Sequence, residues 1–164
     1  MSSINLSYRG DIKFISILDK DNNPIFFFNF NGEEKEIEHE YQIFASLEIF
    51  NYKIEEDKKN ANNNNYFIGL LLPLYEDDND LGSYGFKGSN DIKVILIKNL
   101  DMREESLKII NSIELEIYEK YIKLIMNPFF DKSMLDENNN SDIKTKFFNT
   151  IEELVKNKNS IINN

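Results

Sequence analysis

His39 is the only histidine in the chain, so any Ser-His-Asp triad or His-ligated metal would have to be built on it. It stands among glutamates in EIEHEYQ, and the expectation is a solvated histidine on the surface of a helix. No G-x-S-x-G elbow supplies a nucleophile, because GSYG at 82–85 has the wrong spacing. EDDNDLG offers Asp77 and Asn79 at the first and third ligand positions of a calcium loop. Leu81 then falls at the fifth position and Gly88 at the twelfth, where a bidentate glutamate is needed, so the stretch reads as a solvated acidic loop. Gly82, Gly85 and Gly88 recur every third residue without the Lys-Ser/Thr of a phosphate loop, since Lys87 precedes the last glycine. Their expected place is in tight turns around a short strand. Carboxylate pairs abound, but nothing puts a particular pair in an apolar pocket. No catalytic residue, cofactor or metal ligand is expected.

Composition narrows the classes further. The 164 residues hold 19 Lys and Arg against 29 Asp and Glu, a net charge of −10. Such a chain repels phosphate backbones and anionic membranes, so no nucleic-acid partner is expected. There is no cysteine, which excludes disulfides, Cys-ligated zinc and thiol nucleophiles. MSSINLSYRG lacks the apolar stretch of a signal peptide. The longest apolar run, YFIGLLLPLY, is far short of the roughly 20 residues of a membrane helix, so no direct membrane insertion is expected. Hydrophobic residues make up 41% of the chain, including 13 Phe and 8 Tyr, which is enough for a sizeable core.

The elements that would hold such side chains follow from pattern. DIKFISILD (11–19) and PIFFFNF (24–30) read as strands of a hairpin joined by KDNNP. EIEHEYQIFASLEIFNYKI (36–54) carries both periods, but its length without Gly or Pro favours a helix. On that helix Ile37, Tyr41, Phe44 and Glu48 form one row and Ile43, Leu47 and Phe50 another, so it should be covered on more than one side. NYFIGLLLPLY (65–75) reads as a strand buried on both faces that ends or bulges near Pro73. YGFKG is a short strand and DIKVILIKN (91–99) a clear one. The next helix spans 101–126, with Asp101 and Glu104 as its cap and Leu107, Ile110, Ile113, Ile117, Tyr121 and Leu124 as its apolar face. Asn127-Pro128 stops it. A last helix, capped by Ser141 or Asp142, carries Ile143, Phe147, Ile151, Leu154 and Val155. Asparagine runs at 60–65 and 138–140 mark surface loops. The order is β-β-α-β-β-β-α-α, an α+β domain over 11–164, with 1–10 as an extension and a frayed or disordered tail from about residue 157. Apolar surface in excess of what this core needs points to a protein interface.

Several of these stretches, in order, resemble one family. IKFISILDKDNNPIFF, HEYQIFASLEIFNYKI, YFIGLLLPLYEDDNDLGSYGF, IKVILI, YEKYIKLIMNPFF and FFNTI are similar to the segments of TRAPP complex subunit 2-like, sedlin-related proteins. The resemblance runs from about residue 12 to 155. It implies the longin (SNARE-like) fold, a five-stranded antiparallel sheet with one helix on one face and two on the other. It also implies a non-catalytic scaffold or assembly subunit of a vesicle-tethering and Rab exchange complex in ER–Golgi and Golgi transport. Its partners would be other TRAPP subunits, and a Rab GTPase indirectly through the complex. Its place would be cytoplasmic, peripheral to those membranes. Glu48 stands where the family usually has Asp, a position linked there to partner assembly, so the carboxylate is retained one methylene further out. Phe44, Glu48, Asn127, Phe129 and Phe130 are the residues singled out for partner binding. At least one ring of Phe129 and Phe130 should turn back under the sheet, and Phe129→Ala should harm folding before binding. Another longin-type module, such as a SNARE regulatory domain or an adaptor small chain, is the alternative. A small α+β enzyme would need a phosphate-cradling glycine turn into a helix, which the glycines here do not form.

Overall fold

The structure, a computed structural model, describes residues 12–30, 32–59, 67–75, 80–88, 90–131, 133 and 142–162. The N-terminal extension, the asparagine runs, Asp77, Asn79 and Ser141 lie outside the described residues.

Strands β1 (Ile12–Leu18) and β2 (Pro24–Asn29) form the first hairpin. Its turn is held by Asp19, whose Oδ1 accepts the backbone N–H of Asp21 and of Asn23, each at 2.9 Å. Asn22 takes the left-handed conformation that its type tolerates (φ +66°). A short 3₁₀ turn, Glu33–Lys35, leads into helix α1 (Glu36–Lys59). Strands β3 (Phe67–Tyr75), β4 (Asp80–Lys87) and β5 (Lys93–Asn99) follow, then helices α2 (Glu104–Ile125) and α3 (Asp142–Ile162). The five strands form one antiparallel sheet in the order β2-β1-β5-β4-β3. This is the longin-like α+β arrangement.

Strand alternation sends side chains to two separate cores. Phe14, Leu18, Leu71, Leu81, Ile95 and Ile97 meet Ile43, Leu47 and Phe50 of α1 on one face. Ile15, Ile17, Phe26, Phe28, Tyr84, Val94 and Leu96 meet α2 and α3 on the other. Within that second core the Phe147 ring lies edge-on to Phe26 and Phe28, 5.7 Å from each.

Several local expectations are corrected. Strand β3 is not buried on both faces: it is the last strand of the sheet, with only Leu71 buried along 67–73 and Pro73 exposed. An edge position explains why Pro73 is accommodated, paired with Gly82 with no N–H to give a further neighbour. The register slips at Phe67/Gly69 and Leu70/Leu72, and Gly69 takes φ +87° there. YGFKG is the end of a longer strand that begins at Asp80. Gly85 makes room for a ring rather than a turn, whereas Gly88 does both: its carbonyl accepts the Asp91 N–H at 3.2 Å in the expected turn into β5. A Cβ on Gly85 would lie 2.6 Å from the Phe50 ring of α1, and one on Gly88 would lie 2.2 Å from the Tyr118 ring of α2. Asp101 does not cap α2, because the capping position is Arg103, two residues on, which is extended and makes no side-chain cap bond. Asp101 instead orders the entry to the helix: its carboxylate accepts from Arg103 N–H (3.0 Å), the Arg103 guanidinium (2.7 Å) and Ser106 Oγ (2.6 Å). The guanidinium holds that carboxyl well below the ordinary carboxylate range.

Candidate docking surface

The inner face of α1 is anchored by a polar seam as well as by apolar contacts. Ser46 Oγ donates to Gln42 O at 2.7 Å and shares a hydrogen bond with Ser83 Oγ of β4 at 2.6 Å. Lys53 Nζ reaches across to the Leu70 carbonyl, at the slip in β3. His39 belongs to this face. It is fully buried, with Nδ1 3.0 Å from Gln42 Oε1 and its ring 5.6 Å from that of Phe14. The expectation of a solvated histidine is therefore wrong: helical phase turns position 39 inward with Ile43 and Ser46, while the glutamates beside it turn outward.

The outer face is the opposite of what a solvated helix shows. Ile37 is 81% exposed, Tyr41 75%, Phe44 46% and Tyr52 62%. At about 3.6 residues per turn they fall on one side of α1, with Glu48 between Phe44 and Tyr52. Glu48 is exposed as well. Tyr52 Oη donates to Glu56 Oε1 at 2.8 Å, and that carboxylate pushes the phenol's pKa up. Among the described residues nothing covers this stripe, so the second cover expected for the helix is missing. Phe44 and Glu48 are thus brought together on it. Ile37 and Tyr41 were legible as part of the row but were not singled out. Tyr52 continues the same spacing and is the signal that extends the row by about one turn past Glu48.

Asn127, Phe129 and Phe130 form a separate corner at the end of α2, whose core lies on the other face of the sheet. Asn127 Oδ1 accepts the Phe129 N–H and its carbonyl accepts the Phe130 N–H, both at 3.0 Å. That turn sends the rings in different directions. Phe130 packs against the second core, half-buried, and fills the role expected of at least one ring. Phe129 is 82% exposed beside Met126, so the expectation that Phe129 supports folding is overturned.

Other polar features are weaker as sites. A cleft of about 360 Å³ is lined by Lys20, Lys87, Lys93, Asp91 and Glu55, but Lys87 pairs with Asp91 at 3.1 Å and Lys93 donates to Asn22 Oδ1. Burial lowers the Lys93 pKa. Glu114, fully buried on α2, has no hydrogen-bond partner on either oxygen among the described residues, and burial pushes its carboxyl well above the ordinary range. No group of His, Asp or Glu among the described residues could hold a metal ion.

The family model for sedlin matches residues 17–157, from within β1 to within α3. The chain belongs to the sedlin family. No curated protein matches it. Sedlin-family chains are TRAPP-related trafficking subunits. Both the α1 stripe and the Asn127–Phe130 corner of this sedlin-family chain lie inside the matched span. No described helix is long and apolar enough to cross a membrane.

Proposed function

We propose that this chain is a non-catalytic scaffold subunit of the TRAPP vesicle-tethering and Rab exchange complex in ER–Golgi and Golgi transport. It docks other TRAPP subunits, meets the Rab GTPase only through the complex, and sits at Golgi and ER–Golgi membranes through those partners. One observation supports this best: a helix of a sedlin-family chain leaves Ile37, Tyr41, Phe44 and Tyr52 in water in a single row. Aromatic side chains in such a row are the type that carries binding energy at interfaces, at about 2 kcal/mol or more for a central ring. Phe44 and Glu48 act there, and Phe129 beside Met126 offers a second contact, with Asn127 and Phe130 shaping that corner. Affinity purification of the tagged chain from its own cells tests the role. Co-elution of other TRAPP subunits is expected. Recovery of metabolic enzymes alone, or turnover of a small molecule by the chain, refutes it.

A further inference from the structure

We infer that the outer face of α1 receives a basic amphipathic segment of a partner protein. Apolar side chains of that segment lie on the Ile37, Tyr41, Phe44 and Tyr52 row, and its Lys or Arg side chains meet the carboxylates around it. The inference rests on the docking role proposed above and specifies the partner's chemistry. From Glu36 to Tyr52 the helix contains no Lys or Arg, but it carries Glu36, Glu38, Glu40 and Glu48. Exposed Glu33 and Glu34 precede it, and exposed Glu55 and Glu56 follow the row. The neighbouring cations offset only part of this charge, since Glu33 to Glu56 holds eight Glu against Lys35 and Lys53. Lys35 lies 3.2 Å from Glu38, and Lys53 points inward to the Leu70 carbonyl.

That pattern selects among occupants. A second copy of the chain would bring two acidic rims together, at a like-charge cost. An anionic membrane or an acidic helix would be repelled for the same reason. A neutral apolar segment would cover the rings but strip water from Glu48, in the middle of the row, without giving it a partner. A guanidinium or ammonium placed there satisfies the carboxylate with a charge-assisted hydrogen bond while the rings are buried.

The test uses the full chain and synthetic helical peptides that share one apolar face. One peptide is flanked by Lys and Arg and one by Glu; a third is a scrambled cationic peptide with no apolar face. Binding is read by fluorescence anisotropy at about 50 and about 300 mM salt, where screening differs strongly. The cationic amphipathic peptide is expected to bind at least about tenfold tighter than the other two, and to lose about tenfold with Phe44→Ala. It should also weaken with Glu48→Lys and with salt. Equal binding of the Glu-flanked or scrambled peptide, no binding at all, or indifference to Phe44→Ala overturns the inference. The complex itself separates this from the broader role. If Phe44→Ala and Glu48→Lys still recover TRAPP subunits as the unaltered chain does, the inference fails and the scaffold role stands. Peptide selectivity without any TRAPP subunit recovered leaves the inference standing and removes the role.

Discussion

Phe129→Ala should leave the fold almost untouched, although the residue is a large apolar ring just past a helix. The ring is 82% exposed, so about a fifth of its surface leaves water on folding. Full burial of a Phe side chain is worth about 1.5–3 kcal/mol, which makes the loss on truncation about 0.3–0.5 kcal/mol. In a domain of this size that corresponds to a shift of about 1–2 °C in Tm. Phe147 is the contrast. It is 5% exposed and touches Phe26 and Phe28, so Phe147→Ala should cost about 3–5 kcal/mol. Urea denaturation followed by far-UV circular dichroism compares the variants, with equal slopes required for a valid difference. A loss above about 1.5 kcal/mol for Phe129→Ala would mean that the ring belongs to the core, and the placement of the corner would be wrong.

Other perturbations probe the joints of the structure. Gly85→Ala places a methyl 2.6 Å from the Phe50 ring and 3.0 Å from Leu71 Cδ1, and should destabilise by about 1–3 kcal/mol in thermal or urea unfolding. Glu114 holds its proton more tightly folded than unfolded, so the folded chain binds more protons and stability falls as pH rises above about 4.3, by up to about 1.4 kcal/mol per unit until the folded pKa is passed. Glu114→Gln should therefore raise the melting temperature near pH 7 and leave it unchanged near pH 4, as read by melts across that range. Asp101 has the opposite sign: its stabilisation is present above the ordinary carboxylate range and is lost as pH falls through its depressed folded value. Asp101→Asn should lower stability at neutral pH and flatten the acid limb of the melting curve, because it weakens the bonds to Arg103 and Ser106.

Where a residue's type and period agree, the sequence was a good guide. The alternation in IKFISIL and the three-and-four spacing from Ile110 to Tyr121 lead directly to β1 and α2. Length resolved the helix over 36–54, which extends to Lys59. The failures share a cause: contacts from elsewhere in the chain. The apolar run of β3 suggested a central strand, but its place at the edge depends on which strands pair. Gly85 looked like a turn residue because the ring that presses on it comes from α1. His39 looked solvated because its polarity and acidic neighbours outweighed its helical phase with Ile43 and Ser46. Of the candidate site, the Phe44 and Glu48 row was legible from spacing. That this row, rather than the Ile43 and Leu47 row, faces water depends on Ser83 and Phe14 across the interface.

The most direct measurement is photo-crosslinking in the native cells from a reactive side chain installed at position 44, with Lys108, exposed on α2, as the control position. A covalent adduct between position 44 and another TRAPP subunit, absent from position 108, is the expected result. No adduct at 44, or the same adducts from both positions, would contradict docking through the outer face of α1.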